Sequence, residues 1–398
     1  MQRRHDIDWV RILAFGLLVF YHVGMYYVSW DYHVKSPHAG VVLEPFMLLS
    51  GPWRMSLLFV ISGVATAFML NRRPRGFFGL RSWRLLLPLA FGMLVVVPPQ
   101  SYYQVVEQLP GGYHEGFAAF YARYLGGYRG FCGEDGGCLR LPTWNHLWFL
   151  AYLWVYTLAL WLGWRLLPAG AWTRLRAATA RLCSGWGALW WPVALLALAR
   201  LALVNRFPQT HALTDDWYSH AQYFPMFLLG FLLAFTDGFW ESLQRHRHVA
   251  LAVALAGWAL LVVVWYFCGY NDDAPPPYAL RLLLRVAWAA NQWCAIAAAF
   301  GFAWRFRNAD SAALRYLTPA VFPVYILHQT VIVALAHSAK PLDLPPLLEG
   351  PLLVASTFAL CFAGYEIVRR VPPLRPLFGL KRKTPSKQPL AAVRQPET

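Results

Sequence analysis

The sequence is poor in charge: Asp, Glu, Lys and Arg make up 14% of its 398 residues, and the 19 acids are outnumbered by 35 bases. A soluble domain needs a far more polar surface, so the composition excludes that class. The sequence also lacks a Walker loop, a GxSxG elbow, an HExxH pair and a nucleotide fingerprint. ATPase, hydrolase and metalloprotease interpretations therefore lose their simplest support, and no metal site is predicted.

Cysteine is scarce as well, with six residues in the whole chain. Four lie in or near apolar segments, where a thiol behaves as a small hydrophobe: Cys183, Cys268, Cys294 and Cys361. Cys132 and Cys138 instead flank a Gly-rich loop, CGEDGGC. They can pair if that loop faces an oxidising compartment; a two-Cys zinc site without a nearby His is the weaker alternative.

Hydrophobic residues dominate what is present, at 58% of the chain, and the mean hydropathy is +0.39. Runs of about twenty apolar residues recur along the whole length, as expected for transmembrane helices, whereas the strands of a barrel would alternate. We therefore predict an all-α, polytopic membrane helical bundle of about ten spans. The predicted spans are 8–28, 48–70, 84–105, 143–166, 186–204, 220–236, 249–268, 283–304, 314–337 and 348–368.

The positive charges decide the predicted orientation. The net charge of +16 is concentrated between spans on one side, which is typical of cytoplasmic loops, so the lipid bilayer and not nucleic acid is the predicted partner. Both termini are then cytoplasmic, and the first span is an uncleaved helix. We predict one transmembrane domain, residues 1–371, and a basic, Pro-rich cytoplasmic tail, 372–398, that is disordered because it has little to bury.

The first span carries three polar residues. Arg11 and His22 are eleven residues apart, about 16 Å and close to three turns, and Asp8 lies one turn before Arg11 on the same face. An ionisable residue inside a span normally faces a cavity or the protein interior, and three on one stripe predict a polar path through the bundle. Histidine is the usual general base for a hydroxyl proton. The alternative is that His22 is buried and only forms a hydrogen bond with a neighbouring helix.

Three arginines elsewhere suggest anion binding. Arg54 enters the second span, and its guanidinium fork suits a carboxylate or a phosphate; the alternative is that it snorkels to the outer interface. Arg81 and Arg84 point the same way at the start of the third span and suit a phosphate-rich cytosolic ligand such as coenzyme A. Positive-inside topology is the alternative for that basic segment.

Two further motifs place polar side chains at spans. In TWNHLWFL, Asn145, His146 and Trp148 lie at the outer mouth of the fourth span, where they suit a sugar, although an interfacial aromatic belt is the competing interpretation. In FPVYILHQTVI, Tyr325 and His328 share a face of the ninth span. They can bind substrate or simply bond a neighbouring helix.

Several motifs together carry a family resemblance. They are the Arg11-to-His22 spacing, WRMSLLFVISG, RSWRLLLP, NHLWFL, VYILHQ and the closing YEIVRRVPPLRPLF. The chain resembles the membrane acyltransferase-3 family over nearly its whole length. WDYHVKS, WRM and YEI resemble its glucan-biosynthesis branch, whose members look like succinyltransferases for osmoregulated periplasmic glucans.

The resemblance implies roles for particular residues. His22 is implied as the catalytic base, Arg11 as its same-face partner on the donor path with Asp8 beside it, and Arg81 with Arg84 as the pair that holds coenzyme A. Arg54 and Glu366 carry over as motif positions; Glu366 alternatively pairs with Arg369 or Arg370. The residues expected to contact substrate are His33, Asn145, His146, Trp148, Tyr325 and His328.

The implied activity is O-acyl transfer in a bacterial inner membrane. Acyl-CoA, carrying succinyl or acetyl, is the expected donor substrate, with no permanently bound cofactor, and a carbohydrate outside the cytoplasm is the acceptor. The alternative is a transporter or flippase that moves a polar lipid or glycan and makes no bonds. Association of identical copies is left open.

Overall fold

The computed structural model describes residues 4–134, 136–270, 273–307 and 309–382, and within these ranges it has no β-strand, only an isolated bridge between Cys132 and Cys138. The helices are α1 His5–Tyr27, α2 Glu44–Ser50, α3 Arg54–Arg72, α4 Phe77–Phe91, α5 Pro98–Gln108, α6 Phe117–Leu125, α7 Trp148–Leu166, α8 Ala169–Leu182, α9 Gly187–Leu203, α10 Trp217–Leu233, α11 Asp237–Val262, α12 Tyr278–Ala303, α13 Ala312–Ala339, α14 Pro346–Arg370 and α15 Leu374–Leu377. The predicted all-α, polytopic class is confirmed.

Each of the ten predicted spans coincides with a helix. Among the described residues, eight helical stretches are long and apolar enough to cross a membrane, and a ninth candidate is the bent pair α8 and α9, whose axes meet at 105°. The remaining predicted span, 220–236, falls on α10, which is a short helix of 17 residues. Ten crossings, and the side on which each terminus lies, stay predictions.

Local sequence signals explain where several helices begin and bend. Ser311 caps α13, because its hydroxyl accepts a hydrogen bond of 3.1 Å from the amide of Leu314. A π-helical turn, Gly92–Val96, separates α4 from α5. Pro98 follows at the first position of α5, where the missing N–H costs nothing.

The loops divide the bundle into two ends. The long connections 28–43, 109–134 and 204–216 lie at what we call the loop end, where Trp144 Nε1 donates to His211 O at 2.9 Å. The connections 73–76 and 304–307 carry several arginines and lie at the arginine-rich end, where the chain also begins. There the amide of His5 donates to Arg307 O at 3.1 Å.

Small residues bring α3 and α10 into close contact. A Cβ atom added at Gly63 would lie 2.0 Å from Phe227 O, and one added at Gly230 would lie 2.1 Å from Val60 O. Glycine is therefore required at both positions, as in other membrane helix pairs built on small residues. The contact fixes α3, which carries Arg54, against α10.

Two segments outside the long helices are also packed. The connection between α5 and α7, which we call the cap, contains α6, whose Phe120 and Tyr124 pack against Val105 of α5 in a small hydrophobic cluster of their own. Tyr124 also donates to Met93 O at 2.7 Å. After α14, Phe378 is 6% exposed and belongs to the main core, so packing continues past residue 371. The predicted disordered tail thus begins with a packed segment; residues 383–398 lie outside the described residues.

Candidate active site

A polar cavity of about 480 Å³ opens at the loop end of the bundle. Its walls come from α1, α3, α10, α13, the residues preceding α7 and the loops 28–43 and 204–216. Of the residues predicted to form a site, it brings together His22, His33, Arg54, Asn145, His146, Trp148 and Tyr325. His328 lies directly behind it, bonded to His22. Asp8, Arg11, Arg81 and Arg84 do not line it.

His22 and His328 form a hydrogen-bonded pair between α1 and α13. His22 Nδ1 lies 2.9 Å from Leu18 O and 3.2 Å from His328 Nε2, while His328 Nδ1 lies 2.6 Å from Tyr325 O. Because a carbonyl only accepts, these contacts assign the proton of each ring to Nδ1. His328 Nε2 then accepts from His22, and His22 Nε2 keeps a lone pair. A ring with this tautomer can take a proton from a hydroxyl in the cavity.

His146 and Tyr325 hold α7 against α13. His146 Nε2 donates to Ile326 O at 3.0 Å, and the Tyr325 hydroxyl donates to His146 O at 2.7 Å. Gln100 Nε2 lies 3.4 Å from the remaining His146 nitrogen. Both side chains are buried, and their polar atoms are engaged with the protein itself. They therefore position the neighbouring His328 and shape the cavity wall.

His33 anchors the loop that follows α1. Gln329 Nε2 donates to His33 Nε2 and His33 Nδ1 donates to Gln104 Oε1, both at 2.8 Å, so the ring joins α13 to α5. Burial lowers the pKa of His33 below its ordinary value, in keeping with a neutral ring that both donates and accepts. Lys35 holds the same loop, because its ammonium donates to the carbonyl of Met25 at 2.8 Å and to those of Val28 and Trp30.

Arg54 is a buried cation on the cavity wall. Its side chain is 7% exposed, and its guanidinium carbon lies 3.3 Å from the centre of the Tyr21 ring. Among the described residues, neither Nε nor Nη1 has a hydrogen-bond partner, and the cavity lining contains no Asp or Glu. Burial rules out snorkelling to the interface. A desolvated guanidinium with open donors is suited to bind an anion in the cavity.

Aromatic rings form another part of the cavity wall, which we call the aromatic wall. Trp148 stacks on His211 with ring centres 4.1 Å apart and lies 5.6 Å from Tyr223. Burial lowers the pKa of His211, against the opposing effect of Asp216. Asn145, in contrast, is engaged internally, since its Nδ2 donates to Gln100 Oε1 at 3.1 Å.

The sequence did not single out several lining residues: Tyr21, Tyr32, Gln209, His211 and Tyr223. They lie on loops or on mostly apolar helices, where no local pattern marks them. Tyr32 has a special position, because its ring lies nearly parallel to His22 at 6.3 Å and thereby covers one side of the imidazole. Burial also raises its pKa, so the phenol stays neutral.

The polar face of α1 is not continuous. Arg11 bonds Asp8 at 3.0 Å near the start of the helix. Between Arg11 and His22 the same face carries Phe15 and Leu18, which are 8% and 3% exposed. Phe15 also meets the Tyr325 ring edge-on at 5.3 Å. The predicted polar path is therefore interrupted by an apolar layer, which we define as Phe15, Leu18 and Tyr325.

The remaining predicted residues lie at the arginine-rich end. Arg84 precedes Gln100, which reaches the cavity wall, by 16 residues, or about 24 Å of helix. Arg81 has a buried Nε without a hydrogen-bond partner among the described residues. Glu366 accepts from Tyr316 at 2.8 Å and pairs with Arg370 at 2.8 Å, as expected for its structural alternative.

Comparisons with known proteins show the family to which the chain belongs. Residues 4–366 match a family described as an acyltransferase domain. Glucans biosynthesis protein C of Escherichia coli K12 is 24% identical over 403 residues, covering 96% of this chain and 95% of the relative. The proteins of the same name from the strains E24377A and HS give the same identity and coverage. No solved structure matches the chain. The chain belongs to the acyltransferase-3 family of membrane acyltransferases.

Proposed function

We propose that the protein is a membrane-embedded O-acyltransferase of the bacterial inner membrane. It moves a succinyl or acetyl group from cytosolic acyl-CoA to a hydroxyl of a glycan outside the cytoplasm. The observation that carries the proposal is the His22–His328 pair beside a cavity with an aromatic wall and Arg54, whose Nε and Nη1 have no hydrogen-bond partner among the described residues. Base, anion site and stacking surface are the parts that acyl transfer to a sugar requires.

The reaction follows from the tautomer of His22. The acceptor hydroxyl lies at His22 Nε2, which takes its proton while the hydroxyl oxygen attacks the thioester carbonyl carbon. A C–O bond forms, the C–S bond breaks, and the proton held by His22 returns to the departing sulfur of coenzyme A. During the step the imidazolium is stabilised by His328 Nε2, which accepts from His22 Nδ1.

Arg54 has two uses in this scheme. Its open donors can bind the free carboxylate of a succinyl group, which is why succinyl suits the site well. With an acetyl donor they can stabilise the oxyanion that develops on the carbonyl oxygen. A glucan acceptor is suggested by the name of the relatives, glucans biosynthesis protein C.

The donor reaches this site from the other end of the bundle. Arg81 and Arg84 bind the phosphates of coenzyme A, and Arg11 with Asp8 lies between them and the apolar layer. Phe15, Leu18 and Tyr325 are packed in the core. The layer must therefore open to admit the acyl thioester and the arm of coenzyme A that carries it.

The decisive experiment removes the base. Purified protein in liposomes is given radiolabelled succinyl-CoA or acetyl-CoA and gluco-oligosaccharides, and transfer of the label is measured. We expect His22→Ala to lower kcat about 10²- to 10⁴-fold, the contribution typical of a positioned general base. Undiminished transfer would overturn the mechanism.

The matched control is His246→Ala. His246 is buried, and its Nδ1 lies 2.8 Å from Ser242 O, four residues earlier, just as His22 contacts Leu18. It lies at the arginine-rich end of α11, outside the cavity. Its removal should leave transfer within a few-fold of the wild type, and both variants should insert and elute as the wild type does.

The alternative function, transport of a glycan or polar lipid without bond formation, shares the cavity. Mass spectrometry of surface and periplasmic glycans from cells with and without the protein separates the two. Loss of succinyl groups supports the glucan branch, and loss of acetyl groups supports the wider family. Unchanged acylation, together with no acyl-CoA binding by the purified protein, supports transport.

A further inference from the structure

A second polar cavity, of about 520 Å³, lies at the loop end beside the first. We call it the disulfide pocket, because one wall is the loop closed by the Cys132–Cys138 disulfide. The other walls are α5 and the loop after α1. The side chains that matter for the argument are Asp31, Tyr32, Gln104, Gln108, Phe131 and Glu134.

The two cavities have opposite electrostatic character. The disulfide pocket is lined by the carboxylates of Asp31 and Glu134, and its described lining contains no Lys, Arg or His. Lys35 lies near Asp31, but its ammonium is directed at backbone carbonyls. An anionic ligand is therefore disfavoured here. Carboxylate and amide oxygens beside aromatic rings instead suit a neutral ligand rich in hydroxyl groups.

The two cavities also share a wall. Tyr32 lines both of them, and its ring covers His22. Its hydroxyl oxygen is buried without a hydrogen-bond partner among the described residues, which is a costly state unless a ligand supplies one. Gln108 fixes this wall by donating from Nε2 to Tyr32 O at 2.6 Å. A chain of sugars that occupied both cavities would therefore run along Tyr32.

We propose that the disulfide pocket is a second carbohydrate subsite, which binds a sugar unit of the acceptor next to the unit that is acylated at His22. This inference rests on the proposed function and deepens it, since it makes the acceptor an oligosaccharide and not a single sugar. Glu134 and Asp31 accept hydrogen bonds from vicinal hydroxyls, and Phe131 and Tyr32 supply apolar faces. The subsite determines acceptor length and leaves the chemistry to the first cavity.

The disulfide gives the subsite its shape. Within the loop, the amide of Gly133 donates to Gly137 O at 2.8 Å, and beyond it the amide of Leu139 donates to Phe131 O at 2.8 Å. Residues on both sides of this short turn line the pocket. A covalent link across a loop of this size restricts the conformations that it samples. Without the link, Glu134 loses its fixed position relative to Gln104 and Gln108.

The test compares acceptors of different length. Glucose and its linear β-linked dimer and tetramer are titrated into purified full-length protein by calorimetry and are also used as acceptors with succinyl-CoA. The wild type should bind the tetramer more tightly than glucose. Glu134→Gln should raise the tetramer Kd and KM about tenfold, because one charge-assisted hydrogen bond is weakened. The Kd and KM for glucose should stay unchanged, and so should kcat. The double variant Cys132→Ser, Cys138→Ser should likewise raise the Kd and KM for the tetramer and leave those for glucose unchanged.

The matched control is Glu115→Gln. Glu115 is an acid of the same cap that pairs with Arg123 at 2.5 Å and does not line the pocket, so its variant should bind as the wild type does. Equal affinity for glucose and tetramer in the wild type would overturn the subsite, as would a Glu134→Gln effect of equal size on both. If tetramer binding depends on Glu134 but no sugar is acylated, the subsite stands and the proposed function fails.

Discussion

The two halves of α1 carry similar polar residues in different surroundings. At the loop end, His22 is bonded to His328, covered by Tyr32 and open to a cavity. At the arginine-rich end, Arg11 is held by Asp8, and Phe15 and Leu18, which follow on the same face, are buried in the core. Helical spacing placed Arg11 and His22 on one face, yet His22 lines the polar cavity and Arg11 does not. The neighbouring helices therefore decide what a polar residue can do.

Among the following variants, the largest loss of transfer activity is expected from Arg54, the buried cation of α3 that lines the same cavity as the loop-end half of α1. Arg54→Met keeps the length and apolar stem but removes every donor, so we expect kcat/KM with acetyl-CoA to fall about 10³-fold, as when a preorganised oxyanion donor is lost. Arg200→Met is the control, since Arg200 also stacks on an aromatic ring, 4.1 Å from the Trp288 centre, but lies outside the cavity. Equal losses in both would mean that the stacked cation serves folding alone.

A smaller loss is expected from His328, which acts through His22. His328→Ala removes the ring that accepts from His22 Nδ1 and should lower kcat about 10²-fold. The pH–rate profile distinguishes positioning from a packing defect: its acidic limb, which reports protonation of the base, should move relative to the wild type. His328→Gln, which retains an acceptor, should recover part of the rate. A lower rate with an unmoved limb would count against this role.

Substitutions in the arginine-rich half of α1 should change the KM for the acyl donor only. Arg11→Ala is expected to raise KM for acyl-CoA about tenfold, because a charge-assisted contact is worth about 1.5–3 kcal/mol at most. KM for the acceptor should not change, and Asp8→Asn should have a weaker effect in the same direction. A change in acceptor KM would show that the two halves are coupled through the apolar layer.

The smallest effect concerns the pH dependence of stability. Burial puts the folded-state pKa of His33 below the value of about 6.5 for an unfolded chain. As pH falls below about 6.5, the unfolded chain takes up the proton first, so stability is complete above that pH and decreases below it. His33→Gln should flatten the decline in melting temperature between pH 7.5 and 5. Parallel curves for variant and wild type would contradict this.

Sequence reasoning located the long helices because each of them is an apolar run whose length is set by the bilayer. It also identified His22, Arg54 and His328, since ionisable residues in such runs are conspicuous. It could not identify Tyr32 or His211, which come from loops and meet the site only through contacts far along the chain. Periodicity likewise placed Arg11 and His22 on one face of α1 but could not show that the Tyr325 ring of α13 packs on Phe15 between them.

The apolar layer has an electrical consequence. A polar cavity that reaches His22 shortens the low-dielectric part of the route to about 16 Å, the rise from Arg11, against about 30 Å for the hydrocarbon core. Along the proposed route, much of the membrane potential then falls across Phe15, Leu18 and Tyr325, which are packed in the core. The free energy of each elementary charge that crosses the membrane changes by about 2.3 kcal/mol per 100 mV of membrane potential. In the predicted orientation, an inside-negative voltage drives a succinyl carboxylate outward and leaves a neutral acetyl group unaffected.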